Sequence, residues 1–125
     1  MTVAFAAFES YDAKTLYYSR LEGGGLWSVP VSGGAEQHLT DAPHRGYWGH
    51  FAVADGGLYF LDSSTEPGPT ILYYDFRGRR INPILMLKQR AETWSANLSA
   101  SRDGRTLLYA QFESRNSIMM ADNLR

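Results

Sequence analysis

The stretch Ser101-Arg102-Asp103-Gly104-Arg105-Thr106-Leu107-Leu108-Tyr109 decides the fold. Asp-Gly ahead of an apolar run is a hairpin signal, because Gly accepts positive φ and the Asp side chain can bond the backbone ahead of it. The same grammar occurs twice upstream. Ser10-Tyr11-Asp12-Ala13-Lys14-Thr15-Leu16-Tyr17-Tyr18 has Ala where the first example has Gly, and Val53-Ala54-Asp55-Gly56-Gly57-Leu58-Tyr59-Phe60 lacks the leading Ser and one turn residue. Asp12, Asp55 and Asp103 stand 43 and 48 residues apart, and Leu16, Leu58 and Leu107 stand 42 and 49 apart. Self-similarity at this period marks a repeat architecture.

Working outward, a polar and often Gly-rich break follows each copy, and then a second apolar run. These runs are Leu26-Trp27-Ser28-Val29-Pro30-Val31, Ile71-Leu72-Tyr73-Tyr74-Asp75-Phe76 and Ile118-Met119-Met120-Ala121-Asp122. A further turn, Ser32-Gly33-Gly34 or Arg77-Gly78-Arg79, leads to a fourth short strand at residues 36–40 and 80–85. The third unit has no such strand before Arg125. Four short strands per unit of this length, with recurring aromatics, is the pattern of propeller blades. The expected fold is therefore all-β: a partial β-propeller of about three four-stranded antiparallel blades, the last incomplete. The blades fall at approximately residues 5–41, 47–87 and 94–125, in one domain. Pro83 to Ser95 also reads as a short helix through Leu85, Lys88, Gln89, Ala91 and Glu92. The repeat register instead makes its first part a strand and the rest a connection.

The unit Ser-x-Asp-Gly-[Arg/Lys]-x-Leu-x-Tyr, followed by Leu/Ile-Trp-x-Val and Gly-Gly, resembles the TolB-like β-propeller repeat, a WD-repeat-like family. Ser101 to Tyr109 is the best copy, and Gly24-Gly25-Leu26-Trp27-Ser28-Val29-Pro30 with Gly33-Gly34 is close behind. The ending, Ser117 to Arg125, looks like the C-terminal finish of such propellers fused to bacterial sensory regulators or kinases. The resemblance implies blades around a channel. A ring takes typically 4 to 8 blades, and four units would need roughly 170 residues at this period. The chain is expected to be part of a larger bacterial propeller. Open ends of a repeat array and an unpaired strand edge near Ile118 to Ala121 predict self-association.

The composition narrows the function. The chain has 125 residues and 14.0 kDa, 44% hydrophobic and 20% charged, with a formal net charge of -1. That balance carries no basic excess for wrapping nucleic acid, so no nucleic-acid partner is expected for this segment. No apolar run approaches the roughly 20 residues a spanning helix needs, and no membrane insertion is expected. The absence of cysteine removes disulfides, thiolate metal sites and thiol nucleophiles together.

No catalytic residue, cofactor or metal is expected. His38, His44 and His50 recur every six residues with Asp41 between the first two, but the spacing is no known ligand motif. No Gly-x-Ser-x-Gly elbow occurs. Gly23-Gly24-Gly25 lacks the Lys-Ser/Thr of a phosphate loop. Arg77, Arg79 and Arg80 read as a solvated turn. Asn97-Leu98-Ser99 is a chance glycosylation triplet inside a predicted inner strand. In the family register the inner strands lie near residues 5–10, 48–53 and 94–99. The loops entering the last two form one channel mouth, where Tyr47, Trp48, His50 and Trp94 are the candidate ligand-binding residues. The competing reading packs the tryptophans between blades. The expected function is a non-enzymatic binding or protein-interaction module with a protein or peptide partner. The alternative is an accessory propeller segment of a prolyl-oligopeptidase-like hydrolase that gates or positions substrate.

Overall fold

The computed structural model describes residues 4–20, 23–42, 51–63, 68–87 and 98–109. These form an all-β protein of three separate antiparallel sheets. The first contains β1 (Ala4–Glu9), β2 (Thr15–Arg20), β3 (Leu26–Pro30) and β4 (Gln37–Thr40) in chain order. The second repeats that meander with β5 (Phe51–Val53), β6 (Gly57–Asp62), β7 (Thr70–Asp75) and β8 (Arg80–Met86). The third holds β9 (Leu98–Ala100) and β10 (Leu107–Tyr109) among the described residues. Every pairing joins neighbours in sequence and is antiparallel. The repeat read from the sequence is thus a repeat of whole sheets.

Side-chain alternation explains how the sheets stack. Successive residues of a strand point to opposite faces, and β6 uses both. Leu58 and Phe60 join Phe51, Val53 and Tyr74 in a core closed from the first sheet by Leu26, with Tyr17 and Leu39 packed against it. Tyr59 and Leu61 face the other way. There Ala52, Leu61, Ile71 and Leu87 form a second core with Leu98, against which Ala100 and Leu107 of the third sheet pack. The second sheet therefore lies between the other two, which is why Phe51–Val53 and most of Gly57–Asp62 are buried without alternation. A strand buried on both faces reads as a continuous apolar run. Each fully buried Phe or Leu here contributes about 1.5 to 3 kcal/mol through area removed from water.

The outermost strand of the second sheet has the opposite character. All seven residues of β8 are exposed, including Ile81, Ile84, Leu85 and Met86. Two features blunt this edge as a template for further pairing. Pro83 lacks an N–H, and the register shifts between Ile71 and Leu72, where β7 meets it. The fourth strands fall where the repeat puts them, and Pro83 to Met86 is strand, not helix. Residues 88–95 of the helical alternative, and the apolar run Ile118 to Asp122, lie outside the described residues.

Candidate functional site

The first and third hairpins are built alike. In residues 10–15 the Ser10 hydroxyl donates to Asp12 Oδ1 at 2.6 Å, and Lys14 N–H donates to the same oxygen at 3.1 Å. Thr15 N–H donates to Ser10 Oγ at 3.0 Å, and Ala13 N–H closes on the Ser10 carbonyl at 2.9 Å. In residues 101–106 the corresponding distances are 2.7, 3.0, 2.9 and 2.9 Å. The residue after each Asp is left-handed, at φ 60° for Ala13 and 74° for Gly104. These bonds hold both carboxyls below the usual carboxylate range, mainly through the Ser10 hydroxyl at Asp12 and the Arg105 N–H at Asp103.

The middle hairpin closes differently, with Ala54 N–H on the Gly57 carbonyl at 2.9 Å. Two residues fewer stand in the turn. Asp55 is left with its carboxylate facing the third sheet, where Arg102 Nε lies 3.1 Å from both of its oxygens. Asp55 N–H also donates to the Arg102 carbonyl at 2.8 Å, and Tyr59 O–H donates to the Gly104 carbonyl at 2.7 Å. The Arg102 guanidinium lies 5.2 Å from the centre of the Tyr11 ring. The three hairpin tips therefore meet at one end of the stack.

Beside this meeting point an open cavity of about 260 Å³ runs along the first strands of all three sheets. Phe8 and Glu9 of β1, Tyr11 of the first turn, the whole of β5 and the whole of β9 line it. The Phe8 ring packs edge-on against Phe51 with centroids 4.9 Å apart, yet Phe8 remains 39% exposed and Tyr11 46%. Apolar side chains with one edge in water suit contact with an extended ligand.

The four residues the sequence singled out for a channel mouth, Tyr47, Trp48, His50 and Trp94, all lie outside the described residues. The groove just described lies where the hairpin tips gather, and the sequence reading did not select its lining. Phe8, Glu9 and Tyr11 carry no signal within a single unit, because their exposure depends on how three units stack. The repeat register does locate the strands from which they come.

The remaining sequence candidates have structural explanations where they are described. His38 packs against Trp27 with ring centroids 4.6 Å apart and planes tilted by 50°, and lies 3.1 Å from Asp41, on the outer part of the first sheet. Arg20 lies 3.4 Å from the Trp27 ring centre and pairs with Glu36 beside it. Gly23, Gly24 and Gly25 are all left-handed and lead into β3, so they form a hairpin loop and open no helix. A Cβ at Gly25 would come within 2.5 Å of the Thr40 carbonyl oxygen. Arg77, Arg79 and Arg80 are exposed around the turn into β8, where Arg77 N–H donates to Asp75 Oδ1 at 3.1 Å. Among the described residues no three His, Asp or Glu side chains gather as a metal site would require. The chain matches no protein-family model, no curated protein and no solved structure.

Proposed function

We propose that the chain is a non-enzymatic binding and protein-interaction module, a segment of a TolB-like β-propeller from a larger bacterial protein. The observation that carries this reading is the groove shared by β1, β5 and β9. First strands gathered side by side, with their sheets stacked outward from them, are what the inner wall of a propeller channel consists of. The groove is lined by Phe8, Tyr11 and Phe51 beside the backbone of three first strands, a surface suited to an extended peptide. Self-association belongs to the same reading, since Ile84, Leu85 and Met86 on the outer edge and Leu108 on the third sheet are exposed apolar groups of the kind that open repeat arrays cover by association.

The test is direct. Seven-residue peptides selected from a random display library are titrated calorimetrically into the protein and into Phe8→Ala, which removes a half-exposed ring that lines the groove. The expected result is at least tenfold weaker binding by the variant. Undiminished binding would remove the groove as the site. Sedimentation velocity on the same samples is expected to show species larger than the monomer, and a lone monomer at high concentration would end the self-association proposal.

A further inference from the structure

We infer that the groove holds its polypeptide partner by main-chain pairing, an extended segment joining the first sheet as a new strand along the free edge of β1. This rests on the reading of the groove as a peptide site and adds how the peptide is recognised. β1, β5 and β9 are each the end strand of their sheet and pair on one side only. In an antiparallel pair, residues alternate between those that exchange hydrogen bonds with the partner strand and those whose N–H and C=O point away from it. The hairpins fix the phase. Ser10 N–H donates to the Thr15 carbonyl at 2.8 Å, Ala54 N–H to the Gly57 carbonyl at 2.9 Å and Ser101 N–H to the Thr106 carbonyl at 2.8 Å. Counting back from these bonds through unbroken registers, Glu9 and Ala7, Val53 and Phe51, and Ala100 and Leu98 turn their backbone groups outward from their sheets. All but Ala7 line the groove. Among the described residues no backbone hydrogen bond reaches these outward groups.

Stacked sheets lie about 10 Å apart, so an added strand continues one sheet only, and β1 offers the longest and most open edge. It has six residues against three in β5 and three in β9, and Ala7, Phe8 and Glu9 are exposed where Phe51, Ala52 and Val53 are buried. Nothing blunts it. The outer strand β8 carries Pro83 and faces a register shift, whereas the run Ala6 to Glu9 has neither. A strand added there sets every second side chain on the face that Phe8 occupies, beside the Phe8 and Phe51 rings. The Glu9 side chain, one residue on, points to the opposite face. The site therefore selects an extended backbone with apolar groups at alternate positions, and it asks for no charge.

The experiment uses the whole chain and the tightest of the library-selected heptapeptides, remade with a backbone ester in place of one amide at each position in turn. Each ester deletes a single N–H donor and leaves every side chain in place. The expected result is a loss of about fivefold in affinity at alternate positions, the worth of one hydrogen bond, with the positions between them changed by less than about twofold. In ¹⁵N-labelled protein saturated with the parent peptide, the Ala7 and Glu9 amides should exchange with solvent about tenfold more slowly or better. The Phe8 amide, directed at β2, should change little. Losses without alternation, or no gain in protection at Ala7 and Glu9, would overturn main-chain pairing. If Phe8→Ala still weakens the same peptide in that event, the groove stands as a site read by side chains alone. If no peptide binds, both readings fall.

Discussion

The hairpins at residues 10–15 and 101–106 differ from the one at 54–57 in what makes them turn. In the outer two, a serine and an aspartate tie the loop to itself, and one left-handed residue completes it. The middle loop has no such knot, and neither Asp55, Gly56 nor Gly57 is left-handed. Its glycines serve proximity instead. A Cβ on Gly57 would fall onto the Tyr74 carbonyl oxygen and within 2.6 Å of the Tyr73 ring, and one on Gly56 would stand 3.0 Å from the Tyr73 hydroxyl. The same Asp-Gly pair thus answers two different demands. Where the loop is self-sufficient the glycine relieves backbone strain, and where the sheet is squeezed between two others it makes room.

The largest expected effect follows from that contrast. Gly57→Ala forces β6 and β7 apart in the most enclosed sheet and is expected to cost about 3 kcal/mol or more, in the upper range for overpacking, read as the shift of a urea unfolding midpoint. A loss under about 1 kcal/mol would mean that the sheet yields without penalty.

A reciprocal exchange comes next. Ala13 bears the left-handed strain that Gly104 avoids, a strain of roughly 1 to 2 kcal/mol for an L-residue. Ala13→Gly is expected to stabilise by about 0.5 to 1 kcal/mol after the added entropy of glycine is deducted. Gly104→Ala should destabilise by about 1 to 2 kcal/mol, its Cβ also standing 3.2 Å from the Tyr59 hydroxyl. Changes of the same sign in the two variants would break the equivalence of the outer hairpins.

The smallest effect is a dependence on pH. Asp12 and Asp103 have carboxyls whose folded pKa lies below the unfolded one. Their contribution to stability is complete above about pH 4, the unfolded value, and is lost as pH falls through the folded value. Unfolding midpoints at pH 7 and pH 3 should therefore lie closer together in Asp12→Asn/Asp103→Asn than in the parent. An unchanged difference would show that these caps carry no acid sensitivity.

Much of the architecture was legible in the sequence, because its signals are local. Asp12, Asp55 and Asp103 mark the hairpins, and the Leu-aromatic runs after them give β2, β6 and β10. The fourth strands were placed within one or two residues from the Gly-Gly and Arg-Gly-Arg turns. The Asp-Gly pairs at 55–56 and 103–104 predict positive φ at the glycine. It holds at Gly104 and fails at Gly56, while Ala13, where no glycine marks the position, adopts it. The groove was not legible. The repeat register groups β1, β5 and β9 as the first strands of their units, but whether Phe8 and Glu9 face a partner or a neighbouring sheet depends on how those strands stack. Nor does any pattern within one unit announce that Arg102 will find Asp55.

The double grip of the second sheet on the third, through Asp55 on Arg102 and Tyr59 on the Gly104 carbonyl, acts as a protractor. Together with the Asp55 N–H on the Arg102 carbonyl and the apolar core shared with Leu98, these contacts orient the third sheet against the second. Lengthening Asp55 by one methylene, or deleting the Tyr59 hydroxyl, would alter the angular step and so the curvature of any longer series of these units. The angular step between units would then be trimmed by a pair of side-chain lengths on top of what the packed strands set.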